Sequence, residues 1–116
     1  MLINATPHDL VMTNEDGTEF TLPPSGYTLK AETATVLLRE QDGIQYFATS
    51  FSKDKGTLKD LAEIRAKYPD AVIVGSIVAA QTYPEDVVAL MTTPETIRAE
   101  PSKKRYYAYR FTTYGG

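Results

Sequence analysis

A chain of 116 residues and 12.8 kDa suits one domain, residues 1–116, and its 42% hydrophobic and 23% charged content is that of an ordinary globular protein, which excludes disordered, collagen-like and coiled-coil readings. The absence of cysteine removes disulfides, thiolate metal sites and cysteine nucleophiles, and a single histidine, His8, removes multi-histidine metal centres within one chain. The net charge of −3 is unevenly placed: residues 1–100 carry 8 basic and 15 acidic side chains, whereas residues 101–116 carry Lys103, Lys104, Arg105 and Arg110 and no acid. Such a chain suits a small anionic ligand better than duplex nucleic acid, whose binding needs many phosphate neutralisations.

Along the first half the pattern is that of strands. Leu2–Thr6 predicts a short opening strand, interrupted by Pro7 and resumed over Asp9–Thr13. Asn14-Glu15-Asp16-Gly17 has the composition of a tight turn, so a hairpin into Thr18–Leu22 follows. Pro23-Pro24-Ser25-Gly26 stops that strand, because two prolines delete donors and Gly26 tolerates a left-handed turn. Tyr27–Ala31 and Ala34–Arg39 read as one long or broken strand, returning through Gln41-Asp42-Gly43 into Ile44–Phe51.

The period then changes. Leu58, Leu61, Ala62 and Ile64 lie three and four apart, which predicts a helix over 58–68, capped by Thr57 with Asp60 at the reciprocal position and ended by Pro69. Ala71–Val74 has the content of a buried strand, Ser76–Gln81 suits a short second helix starting at Gly75-Ser76, and Val87–Met91 is a further strand. Glu95–Ala99 is expected to pair with Arg105–Tyr114 across Pro101–Lys104, and strict alternation would place Tyr106, Arg110 and Tyr114 on one face and Arg105, Tyr107, Tyr109 and Phe111 on the other. The expected fold is α+β, a mostly antiparallel sheet with one clear helix and a short second one. The longest charge-free run, Ala71 to Pro84, falls far short of the roughly 20 apolar residues of a membrane span. With no basic and apolar leader at the N-terminus, a cytoplasmic protein without a membrane partner is expected.

Catalytic vocabulary is sparse. There is no phosphate loop, dinucleotide fingerprint, EF-hand spacing or Gly-x-Ser-x-Gly elbow, and so no cofactor is expected. Asp9, Asp16 and Asp42 fit turn chemistry. His8 has two readings: a hydrogen-bonded residue locking the bend after Pro7, or a base that Asp86 orients. What stands out is a binding vocabulary, eight tyrosines without tryptophan, four of them clustered with Arg105 and Arg110 at the C-terminus. Tyrosine stacks on a base and arginine grips phosphate with two parallel donors, so Arg110 between Tyr106 and Tyr114 is the first expected ligand site, with Arg105 on the opposite face. The Thr6-Pro7-His8 bend and the Ser76 helix start form the alternative, since a strand entering a helix presents free N–H groups. A small many-stranded domain also has edges to cover, which favours a homo-oligomer.

In chain order, Leu2-Ile3-Asn4-x-Thr6-Pro7-His8, Asp16-Gly17, Pro24-Ser25-Gly26, Val72-Ile73-Val74-x-Ser76-Ile77-Val78-Ala79 and Asp86-Val87-Val88 resemble a small protein family of phages, prophages and bacteria. That family's segments read "LINLTPH", "PPSG" and "YIVS.IVA" before an "R.D" and a basic or aromatic final strand. Gly75 is inserted before Ser76 here and Pro84 replaces the family's arginine, so no arginine site is carried over at that point. In size and setting the chain is also similar to the sponges that sequester immune signalling nucleotides, such as those opposing Thoeris and CBASS defence. The comparison implies a phage-type protein that holds a cyclic ADP-ribose-like or cyclic oligonucleotide signal without turnover. A small nucleotide hydrolase using His8 and a protein–protein adaptor are the alternatives.

Overall fold

Turn chemistry sets the first hairpin. In the computed structural model, which describes residues 1–115, Gly17 takes a φ of +90° and Asp16 accepts from the Thr18 hydroxyl at 2.6 Å and its N–H at 3.0 Å. The hydroxyl first, and then the N–H, hold the Asp16 carboxyl below its ordinary pKa. This turn joins β2 (Leu10–Thr13) to β3 (Glu19–Leu22), which pair antiparallel as expected, after a short β1 (Leu2–Asn4). The second hairpin, β4 (Ala31–Gln41) and β5 (Ile44–Lys53), turns at Asp42 and Gly43, both at positive φ as a two-residue loop requires. Tyr27–Lys30 is not part of that strand; Tyr27 and Leu29 pack against the core instead.

Helix α1 spans Lys55–Lys67 and begins three residues before the expected start. Asp54, not Thr57, is its cap, with the Asp54 carboxylate accepting from the Thr57 N–H at 2.9 Å. Thr57 is buried and its Oγ accepts instead from the Lys30 N–H at 2.9 Å, a tertiary bond with no sequence signal. β6 (Val72–Gly75), α2 (Ile77–Thr82, capped by Ser76) and β7 (Val87–Thr92) follow the predicted order. Gly75 permits α2 to close on β7, because a Cβ there would stand 2.8 Å from Val87 Cγ1 and 3.2 Å from Ala79 Cβ. Glu95–Ala99 does not form a strand. Pro94 and Pro101 instead start single-turn 3₁₀ helices, Pro94–Thr96 and Pro101–Lys103, since each fixes φ and lacks a donor. The final strand, β8 (Tyr106–Thr112), therefore pairs with β7 and β2.

The α+β architecture is as expected, but the main sheet is mixed. Its order is β1-β6-β7-β8-β2-β3, with β1–β6, β6–β7 and β2–β8 parallel and β7–β8 and β2–β3 antiparallel. The crossover through α2 makes β6 and β7 parallel, which a hairpin-based reading does not anticipate. The sheet curls until its two edges meet. Asn4 on β1 donates through Nδ2 to the Leu22 carbonyl of β3 at 3.0 Å, and its own carbonyl accepts from the Ser25 N–H at 2.9 Å. All six strands contribute to the enclosed apolar cluster, represented by Leu2, Val74, Leu90, Phe111, Met12 and Leu22. The outer face of β1, β6 and β7 carries a second core, where Ile3, Ile73, Val87 and Ala89 meet Leu61 and Ile64 of α1 and Ala79, Ala80 and Tyr83 at α2. The β4–β5 hairpin forms its own two-stranded sheet outside both cores.

Candidate functional site

The Asn4–His8 segment leaves β1 through a bend built by one side chain. Asn4 is 1% exposed; its Nδ2 also donates to the His8 carbonyl at 2.7 Å, while its Oδ1 accepts from the Thr6 N–H at 2.9 Å and hydroxyl at 2.6 Å. The bend is therefore locked by Asn4 and Thr6. His8 contributes only its backbone to that lock; its imidazole is exposed and has no hydrogen-bond partner among the described residues.

This bend forms one wall of a cleft of about 410 Å³ at the end of the barrel-like sheet. Thr6, His8 and Asp9 line one side, Pro101, Ser102 and Lys104 the other, and Leu10, Leu90 and Tyr106 the floor. Its volume falls within the usual range for small-molecule sites. The chemistry present is a lysine ammonium, an imidazole, a carboxylate, two hydroxyls and a phenol ring on an apolar base. Lys104 and His8 suit an anion, Asp9 suits hydroxyl or amine donors, and the half-buried Tyr106 offers a stacking face.

Of the residues expected to bind a ligand, Thr6, His8 and Tyr106 are brought together here, while Arg105, Arg110, Tyr114 and Ser76 are not among the lining residues. Arg105 is held by Glu19 at 2.9 Å. Arg110 stacks on Tyr107 and Tyr109, with its Cζ 5.0 and 5.4 Å from their ring centroids, so it does not sit between Tyr106 and Tyr114. The cause is a break in alternation: Leu90 faces Phe111 but Thr92 faces Tyr106, so β8 carries extra residues and Tyr106, Ala108 and Phe111 all pack inward. Tyr114 lies beyond β8 and is exposed. The Ser76 hydroxyl accepts from the Ala79 N–H at 3.1 Å and serves as the cap of a six-residue helix.

The proposed His8–Asp86 pair is not assembled. Asp86 precedes β7 whereas His8 follows β1, and since β1, β6 and β7 run parallel the two lie at opposite ends of these strands. Asp86 is instead held by Arg65, whose Nε lies 3.3 Å from its carboxylate and whose guanidinium also reaches the Ala71 and Asp86 carbonyls at 2.7 and 3.1 Å. Lys104, Ser102 and Asp9 are the cleft residues that sequence reasoning missed. The basic C-terminal segment signalled Lys104, but only the 3₁₀ turn from Pro101 aims that segment at the Thr6–His8 bend.

Among the described residues no group of three histidine, aspartate or glutamate side chains is placed to hold a metal ion, and no helix is long and apolar enough to cross a membrane. Comparison with protein-family models, with curated proteins and with solved structures gave no match.

Proposed function

We propose that the protein binds a small anionic, nucleotide-like ligand in the Thr6–Lys104 cleft and sequesters it without turnover, as a phage-type anti-defence protein would. The observation that carries this reading is the convergence of Lys104, His8 and Tyr106 on one apolar-floored cleft of ligand size. In this reading the lysine takes a phosphate, the Tyr106 ring takes a base, and Asp9 takes a ribose hydroxyl. That the His8 imidazole is hydrogen-bonded neither to Asp86 nor to the neighbouring Asp9 supports binding over hydrolysis, because a histidine that no carboxylate orients lacks the second element of a general-base pair.

Calorimetry with cyclic ADP-ribose and with a cyclic dinucleotide tests it. Lys104→Ala is expected to weaken binding at least about tenfold, a loss of roughly 1.4 kcal/mol or more, and Arg110→Ala to leave it within about twofold. Mass spectra of the ligand released by heating should show it intact from both the native protein and His8→Ala. A processed ligand from the native protein, absent with His8→Ala, would instead establish the hydrolase. Binding of neither probe, with no small molecule released, would favour the adaptor.

A further inference from the structure

The β4–β5 hairpin projects from the body as an arm. Its eleven-residue strand spans about 35 Å at the usual rise of a strand, and every residue from Glu32 to Lys53 is exposed. Solvent exposure of this kind normally goes with polar side chains. Here Val36, Leu37, Leu38, Ile44, Tyr46, Phe47 and Phe51 are all exposed, Val36 at 61% and Leu38 at 60%. A lone two-stranded hairpin is marginal in water, so an apolar arm of this length is built to be covered.

Pairing register assigns these side chains to faces. Thr33 opposes Phe51, Thr35 opposes Thr49 and Leu37 opposes Phe47, which puts two bulky layers on one face with a threonine pair between them. A two-fold axis through Thr35 and Thr49 lays the Leu37–Phe47 layer of one copy on the Thr33–Phe51 layer of another, with the threonine pairs facing each other at the axis. The register shift between Leu37 and Arg39 groups the opposite face differently. There Tyr46 and Ile44 lie toward the tip, Val36 stands at the middle of the strand, and Ala34 and Ser50 lie toward the root. In two arms crossed antiparallel, the tip is the part that reaches the other copy's body. The root meets that body beside α2, whose Ile77 is 60% exposed.

We propose that the arm is a dimerisation element and that its occupant is a second copy of this chain, the two arms crossing antiparallel about Thr35 and Thr49. Weighted by their exposed fractions, the seven side chains present roughly 600 Å² per copy. The stacked face, with Leu37, Phe47 and Phe51, supplies about half of that, and the contact of each tip with the other copy's body must cover the rest; arm and body contacts together then approach about 1,200 Å² over two copies, the size at which stable specific interfaces begin. Charge disfavours a polyanionic partner. The arm carries Glu32, Glu40 and Asp42 against Arg39 and Lys53; Arg39 is stacked over Tyr46 at 4.3 Å and Lys53 reaches Glu85 at 3.7 Å. This inference does not depend on the ligand reading of the cleft, and either can fail alone.

Light scattering and sedimentation of the full chain at micromolar concentration should report a dimer. Phe47→Asp on the stacked face and Ile44→Asp at the tip should each give a monomer, with a circular dichroism spectrum unchanged from the native protein. Because the chain has no cysteine, Thr49→Cys supplies a single thiol beside the proposed axis, and a short bismaleimide, which spans the about 10 Å between stacked sheets, should join two copies far faster than it joins Ala34→Cys on the opposite face. A native monomer up to about 100 µM would overturn the proposal, since an interface of this class assembles well below that concentration. A dimer that persists in both aspartate variants, or equal cross-linking of the two cysteine variants, would also overturn it.

Discussion

Asn4 does more for this fold than its place in a three-residue strand suggests. One buried amide closes the sheet to Leu22, holds the His8 carbonyl and receives both polar groups of Thr6. Truncating the side chain takes this partner from the Leu22 carbonyl and the Thr6 N–H, while the Thr6 hydroxyl still reaches the His8 carbonyl at 3.3 Å; unmet groups cost about 1–3 kcal/mol apiece when water cannot reach them. Asn4→Ala is accordingly expected to lower stability by about 2–4 kcal/mol in urea denaturation, near the upper end for single substitutions. Asn4→Asp separates the two halves of the amide: it keeps the acceptor for Thr6 but sets a carboxylate oxygen against the His8 and Leu22 carbonyls. It should be at least as damaging as the alanine. A loss below about 1 kcal/mol for either would mean that water substitutes for Asn4 and that the barrel closes by other means.

The arm depends on how its root is clasped. Tyr83 is 1% exposed, and its hydroxyl donates to the Lys30 carbonyl at 2.6 Å while accepting from the Asp54 N–H at 2.7 Å. Lys30 enters β4 and Asp54 leaves β5, so a single phenol ties together the two ends of a 23-residue excursion, residues 31–53. Asp54 is also the cap of α1, and Thr57 in the first turn of α1 receives the Lys30 N–H; the arm and the helix thus share one junction. Tyr83→Phe removes only the hydroxyl and leaves both backbone groups unpaired. The expected cost is about 1–3 kcal/mol, with faster amide exchange at Asp54 and at the root residues of β4 and β5 than in the main sheet. Uniformly faster exchange over the whole chain would show instead that the junction carries global stability.

The molecule is extended for its length. Its Cα radius of gyration is 16.6 Å and its longest axis 54 Å, whereas a compact chain of this size is expected near 13 Å. The excess lies in the arm, because the mixed sheet and its two helices account for both buried clusters. Small-angle scattering of the Phe47→Asp variant, studied as a monomer, should give a radius close to the extended value. A value near that of a compact chain would mean that the arm folds back onto the barrel and covers its own apolar side chains. This placement leaves the cleft at the Thr6–His8 end built from one copy alone, so ligand binding and assembly can be measured separately.

What local chemistry dictates was legible from the sequence. The Asn14–Gly17 and Asp42–Gly43 turns, the Pro23-Pro24 stop, the α1 and α2 segments and the strand candidates at Val72 and Val87 follow from positive-φ residues, missing donors and the change of apolar period. The Thr6-Pro7-His8 bend and the basic C-terminal segment were also visible, and with them part of the cleft. Contacts between distant residues decided the rest. The register shift in β8, which turns Arg110 onto Tyr107 and Tyr109, arises from pairing with β7 and breaks an alternation that the residues of β8 alone would continue. Likewise the helix starts at Lys55 with Asp54 as its cap, which leaves Thr57 inside the first turn with its hydroxyl spent on the N–H of Lys30, far away in the chain. The meeting of Lys104 with His8 needs a parallel crossover, a 3₁₀ turn and a closed sheet edge at once. The arm's alternating apolar strands read as ordinary core strands in sequence, since the pattern records which side chains avoid water but not whether this chain or another copy covers them.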